Sequence, residues 1–429
     1  MNDPSLVFTA LFSALLVLGL VTKFYLATRQ IRHVARHRNQ VPAAFASTIT
    51  LASHQKAADY TVAKARLGML ETGFGAALLM GWTLLGGLDA LNQVLARSGL
   101  ASYGSLVPQL ALLVAFGLIS GVLDLPFSLY KTFRLEERFG FNKMTARLWL
   151  ADLLKSTLVG AIIGLPIVAL ILWLMGSAGG LWWLWTWMVW MGFNLLALVL
   201  FPTVIAPLFN KFKPLEDEAL KASVTALMKR CGFAAKGLFV MDGSKRSAHA
   251  NAYFTGFGAA KRVVFYDTLL KQLDPAEVDA VLAHELGHFK HKHIIKRIVV
   301  MFALSLLGFA LLGWLSSQVW FYTGLSVRPN IAGGNDALAL LLFLMAVPLL
   351  SFFISPVMAQ VSRQHEFEAD AYAVSQTDGR NLQSALLKLY KDNASTLTPD
   401  PVFVKFYYSH PPASERLGRM TSNFESAAA

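Results

Sequence analysis

Seven stretches of the chain are apolar over about 20 residues with hardly a charge: roughly 5–25, 68–90, 105–130, 156–176, 181–207, 295–321 and 338–360. A helix needs about 20 such residues to cross the hydrocarbon core of a bilayer, so the pattern predicts seven membrane-spanning helices. The first stretch is too long, and too polar at its far end, for a cleaved signal peptide, and no small-residue cleavage site follows it. It reads as an uncleaved first helix. Between the fifth and sixth stretches the pattern changes. An amphipathic helix is expected over 217–229, followed by short β-branched or aromatic runs at GLFVMD, ANAYFTGF and KRVVFYDTLL that predict a small sheet or hairpin. Asp274 and Glu277, with Pro275 between them, make a capping box that starts a further helix. That helix is expected to run on through Lys290, Lys292, Lys296 and Arg297 into the sixth span. The predicted fold is an all-α integral membrane protein carrying a small α+β domain outside the membrane. It divides into a membrane domain at 1–207, an extramembrane segment at 208–294, spans six and seven at 295–360, and a second extramembrane segment at 361–429.

Composition points the same way. The chain is 55% hydrophobic and 15% charged, where a soluble domain averages about 45–50% and about 25%. Its formal charge of +12 could suggest nucleic acid, but no RNA- or DNA-binding signature is present. The basic residues crowd beside the spans, where anionic lipid and topology account for them. The first connection holds Lys23, Arg29, Arg32, Arg36, Arg38, Lys56, Lys64 and Arg66, and the third holds Lys131, Arg134, Arg138, Lys143 and Arg147. The second has only Arg97, the fourth no charge and the sixth only Arg328. Cytoplasmic loops are the basic ones, so the N-terminus lies outside, while 208–294 and 361–429 share the cytoplasmic side. Six tryptophans, Trp173, Trp182, Trp183, Trp185, Trp187 and Trp190, flank the short fourth connection as an interfacial belt. Asp124 and Asn194, within spans, are expected to face protein or a wet interior. The single cysteine, Cys231, excludes an internal disulfide and a cysteine-based zinc site.

The chemistry concentrates in AVLAHELGHFKHKH. His284 and His288 stand at i and i+4, one above the other on a helix, so both imidazoles can reach one ion while Glu285 addresses a water bound to it. A catalytic zinc takes a third protein ligand and keeps one position for water. SRQHEFEADAYA, just past the seventh span, offers Glu366 as that ligand and Asp370 to orient a ligating imidazole through its other nitrogen. One zinc per chain would bring its water to a pKa of roughly 7, Glu285 would take the proton, and a peptide bond would be hydrolysed. His410 and Arg416, in YSHPPASERLGRM, are candidates to stabilise the oxyanion. His291 and His293, on different helix faces from the pair, are left out of the site.

These motifs resemble the CAAX prenyl protease 1 family of integral-membrane zinc endoproteases. The likeness runs through LPFSLYKTFRLEERFGFNKMT (125–145), IAPLFNKFKPL (205–215), GSKRSAHANAYFTGF (243–257), KRVVFYDTLL (261–270), HELGH (284–288), EFEADAYA (366–373) and SHPPASERL (409–417). It implies a barrel of seven tilted helices around a large water-filled chamber, with zinc held by His284, His288 and Glu366 and with Glu285 as general base. It implies further that Asn251, His410 and Arg416 hold substrate and oxyanion. By the same likeness the run 249–254, through His249, Ala250, Asn251, Ala252 and Tyr253, is the edge strand to which an extended peptide adds. Expected partners are the bilayer and a peptide or protein substrate, prenylated or otherwise membrane-associated, acted on by a monomer. Composition and the SAAA terminus suggest a bacterial inner membrane, with the endoplasmic reticulum as the eukaryotic counterpart. Two further readings share part of the pattern: a quality-control protease of the HtpX type, which has about four spans, and a transporter or scaffold with a structural zinc.

Overall fold

A computed structural model describes residues 3–233, 237–255, 262–330 and 333–428. Residues 256, 257 and 261, at the ends of two of the motifs above, and Ala429 of the SAAA terminus lie outside them. The chain opens with α1 (Pro4–Arg36), α2 (Leu51–Trp82), α3 (Gly87–Ala96), α4 (Leu106–Tyr130), α5 (Ala146–Ser177), α6 (Trp182–Leu200) and the short α7 (Ala206–Phe209). The extramembrane insert follows: β1 (Phe212–Pro214), α8 (Glu218–Arg230), β2 (Gly237–Met241), β3 (Ala252–Thr255), β4 (Arg262–Tyr266), α9 (Asp267–Gln272) and α10 (Pro275–Lys290). The chain ends with α11 (His293–Leu315), α12 (Val319–Thr323), α13 (Asp336–Gln376), α14 (Gly379–Asp392), α15 (Pro401–Tyr407) and α16 (Ala413–Ala428).

Among the described residues six helical stretches are long and apolar enough to span, and α2 with α3, bent by 48°, pass the same test together, which gives up to seven. The second span thus differs from the straight helix expected over 68–90: α2 starts at Leu51, and the chain turns at a glycine pair. Gly86 takes a left-handed φ of 78°, and a Cβ on Gly87 would meet the carbonyl oxygen of Gly81 at 2.5 Å, so a side chain fits neither position. A second difference lies before span six. Instead of continuing, α10 ends at Lys290, and α11 starts afresh at His293 after Lys292 adopts a left-handed φ of 56°. Span seven, by contrast, runs unbroken for 41 residues, carrying Glu366 and Asp370 out of the membrane on the same rod.

Two main cores hold the molecule together, at opposite ends. One joins Phe12, Leu112, Leu172, Leu312 and Leu342 from α1, α4, α5, α11 and α13. The other, under the sheet, joins Val224, Phe265, Leu282, Leu286 and Ala373. Between them α5 buries nothing before Ile171, α11 nothing from Ile294 to Leu311, and α13 nothing from Phe343 to His365. Only 6–28% of each single-helix span's most apolar window is covered by protein. Between their ends these spans bury little and meet neighbours only at separate points, such as Trp187 Nε1 on Phe302 O and Ser305 Oγ; a solid bundle would bury one face along its whole length.

The sheet is mixed and four-stranded, in the order β1-β2-β4-β3. Its centre is the parallel pair β2 and β4, from Gly237↔Arg262 to Met241↔Tyr266, and β3 runs antiparallel on the outside of β4, with Ala252 opposite Phe265. The capping box is formed as expected, with Asp274 and Glu277 each bonding the other's backbone. Helix α10 then lies against α13 at Gly287, where an added Cβ would meet Ala369 Cα at 2.8 Å and its carbonyl oxygen at 3.1 Å.

Backbone atoms cannot step aside as a flexible side-chain tip can. Gly287→Ala is therefore expected to lower stability by about 1–3 kcal/mol, read as a lower thermal unfolding midpoint in detergent. Gly75→Ala, where the methyl meets nothing, should leave the midpoint unchanged or raised; equal loss in both variants would remove close helix packing as the reason.

Candidate active site

One helical turn of α10 sets the imidazoles of His284 and His288 perpendicular, with centroids 5.0 Å apart. Helix α13 delivers Glu366 between them. Its Oε2 lies 3.4 Å from His284 Nε2 and its Oε1 3.4 Å from His288 Nε2. Two ligands bonded at about 2.0–2.1 Å to one tetrahedral ion stand roughly 3.3–3.4 Å apart, so these separations, one to each oxygen of Glu366, leave room for one cation among the three side chains. Glu366 Oε2 is moreover buried without a hydrogen-bond partner, an expensive state for a carboxylate oxygen unless something cationic meets it. Two neutral nitrogens and one carboxylate suit zinc, and the residues present fit it.

Behind His284 the arrangement is charged and dry. Asp370 Oδ1 accepts a hydrogen bond from His284 Nδ1 at 2.8 Å, which fixes the ring and turns Nε2 toward Glu366. Asp370 is held in turn by buried Arg416, whose Nε donates to Oδ2 at 2.8 Å and whose Nη2 donates to Oδ1. Burial alone would lower the pKa of His284, but Asp370 and Glu366 outweigh it and raise the value from 6.5 to about 9. Without metal, the ring is thus an imidazolium between two carboxylates.

The remaining predicted residues are placed as follows. Glu285, half-buried, follows His284 by one residue and precedes His288 by three on the same helix. His410 is exposed, with Nε2 3.3 Å from Glu366 Oε1 and Nδ1 3.0 Å from Ser409 Oγ. Arg416, expected at the oxyanion, has two of its nitrogens committed to Asp370, and its Nη1 is 3.9 Å from Glu366 Oε2. Ala252 and Tyr253 lie in β3, which forms one edge of the sheet among the described residues, β1 forming the other. Phe254 ties that strand to α10 through Phe289, the residue after His288, at 5.3 Å. The strand is shorter than the expected 249–254. His249 stacks on Phe141 at 4.3 Å and Ala250 N donates to Asn393 Oδ1 at 3.1 Å, so these two residues are held by other elements, while Asn251 O still accepts from Tyr266 N of β4 at 3.0 Å and its Oδ1 accepts from the N–H of Ala252.

Sequence reasoning missed three residues beside the site. His293, set aside as lying on the wrong face, is buried, with Nδ1 3.0 Å from His288 Nδ1 and Nε2 2.9 Å from Glu368 Oε2. His365 stacks on His293 at 3.9 Å. Glu368, two residues past Glu366, was the available clue to one of them, but the turn at Lys292 has no glycine or proline to announce it.

The comparisons with known proteins agree with this geometry. A family profile described as the CAAX prenyl protease N-terminal region, with five membrane helices, matches residues 30–211, and the profile of peptidase family M48 matches residues 214–423. CAAX prenyl protease 1 of Saccharomyces cerevisiae is 33% identical over 97% of this chain and 96% of its own. The Arabidopsis thaliana homolog is 38% identical over 76% of each chain, and the Homo sapiens homolog 30% identical over 92% and 91%. The crystal structure of S. mikatae Ste24p superposes with a TM-score of 0.90 at 31% identity, covering 98% of this chain and 100% of that one.

Because a metal must displace the His284 proton, zinc affinity should rise about tenfold per pH unit from pH 6 to 8 and level off near pH 9. Competition with a zinc-sensitive dye at several pH values measures this; a flat profile would show that His284 is already neutral without metal.

Proposed function

The chain belongs to the CAAX prenyl protease 1 family of M48 peptidases, and on that premise we propose how this membrane endopeptidase uses its residues and what it cuts. The observation that carries the reading is the pair of 3.4 Å separations by which Glu366 reaches both His284 and His288. His284, His288 and Glu366 hold one zinc, which when bound supplies a Lewis acid and brings water ionisation near neutral pH. Glu285 takes the proton of the attacking water and passes it to the leaving amine. His410, the exposed imidazole at the rim of the ligand set, donates to the developing oxyanion. Arg416 acts through Asp370, holding the carboxylate that orients His284. The peptide lies along β3, adding main-chain hydrogen bonds to its free edge.

Substrates are proteins ending in a C-a-a-X-type sequence, or other membrane-associated chains. A cavity of about 600 Å³ between α1, α2 and α15 leads to His410. Phe24, Met69, Phe403 and Tyr407 give it apolar walls, and Lys23 and Lys64 give it positive charge. Such a lining suits apolar residues that end in a carboxylate. We place the site on the cytoplasmic side. The basic third connection packs directly on the protease segment, with Lys143 N donating to Arg246 O and Asn142 bridging to Ser247, so the loops that obey the positive-inside rule and the site share one end of the molecule. On composition the membrane is a bacterial inner membrane. Two further features favour this reading over its rivals: a span count above that of the HtpX type, and an acid at position 285 that a structural zinc would not need.

Glu285→Gln should keep one zinc per chain, by metal analysis, while kcat/KM on a farnesylated C-a-a-X peptide falls about 10²- to 10⁴-fold. Chelation should silence the native enzyme and zinc should restore it. Wild-type turnover in the glutamine variant would take the base role away from Glu285.

A further inference from the structure

The break between α10 and α11 gathers a second set of ligand atoms. The left-handed Lys292 swings His293 back beneath His288 and leaves His291 parallel to it, with ring planes 14° apart and centroids 5.5 Å apart. Helix α13 brings Glu368 to 2.9 Å from His293 Nε2. One nitrogen from each imidazole and one carboxylate oxygen lie within 4.8 Å of one another. His293 is buried, Glu368 half-buried and His291 exposed, so the cluster has a fixed floor and an open entrance. None of the three takes part in the hydrolysis described above.

We propose that His291, His293 and Glu368 form a second divalent-cation site of zinc chemistry, and that filling it disturbs the first. The donor set, two imidazoles and a carboxylate, is one that zinc accepts with the fourth position left to solvent. The coupling follows from counting protons. When His288 uses Nε2 as a ligand, its proton sits on Nδ1, 3.0 Å from His293 Nδ1. His293 must accept there, so its own proton is on Nε2 and is donated to Glu368. An ion taken up at His293 Nε2 moves that proton to Nδ1, where it faces the proton of His288. Two N–H groups cannot share one hydrogen bond, so the contact breaks and His288 loses the partner that orients it. By linkage the effect is mutual, and each ion weakens the other.

The inference rests on the catalytic-zinc reading for its coupling but not for its ion count. The test is equilibrium dialysis of the full-length, zinc-loaded protein against rising Zn²⁺, with bound metal counted by atomic absorption and cleavage followed in parallel. A second equivalent should bind more weakly than the first, and as it fills, the first zinc should become about 5- to 150-fold easier to remove while cleavage falls. His291→Leu, at an exposed position, should keep one zinc and the basal rate, and lose both the second equivalent and the inhibition. Glu368→Gln should also lose the second equivalent. A native protein that stops at one equivalent, or a His291→Leu variant that still takes two, overturns the site. Two equivalents with no change in the first zinc's release overturn the coupling. The metal count is independent of cleavage, so it stands apart from any failure of the protease reading.

Discussion

Everything at the catalytic end depends on one close contact, the crossing of α10 and α13 at Gly287 and Ala369. The first helix carries the histidines and the second the carboxylates, and neither half of the ligand set can bind an ion tightly alone. Ala369 lies between Glu366 and Asp370, so the backbone contact itself determines how far both acids reach toward α10. A hydrogen would serve at position 287 and a methyl would not. The two ligand helices come from parts of the chain separated by a whole span and its return, which makes the site a report on the folding of the entire membrane domain.

Much of this could be read beforehand because it is local. The i, i+4 histidines, the capping box at Asp274 and Glu277, and the run from Glu366 to Asp370 on one helix depend only on neighbours a few residues away. The spans were legible through length and the shared side through charge. What escaped was set by distant partners. Arg416 spends itself on Asp370, 46 positions earlier, and no motif shows that commitment. His249 and Ala250 read as strand but are drawn off by Phe141 and Asn393. The α10–α11 break was hidden because lysine is an uncommon residue for a left-handed turn. Its cause is tertiary, since His293 gains both His288 and Glu368 by the detour.

The charged groups behind the ligands form a graded series. Arg416 holds Asp370, Asp370 holds His284, and on the other side Glu368 holds His293, which meets His288. Each imidazole of the proposed ligand set is thus oriented through its outer nitrogen toward a carboxylate, but only the His284 branch is buried and anchored by a guanidinium. The His288 branch ends in a half-exposed acid and a second imidazole. Rigidity and responsiveness are divided between the two ligands, and the looser one is the one beside the exposed histidine.

The placement of the cores at the two ends has a mechanical meaning. A beam fixed at both ends bends most at its middle, and the middles of α5, α11 and α13 are held more lightly than their ends, by side-chain contacts such as Trp187 on Phe302 and Phe352 on Phe406. Bending there would leave the distances at Glu366 as they are, because the strain would be taken up far from the clamp that sets them. Compliance of the wall and accuracy at the His284, His288 and Glu366 cluster are in this way mechanically separate.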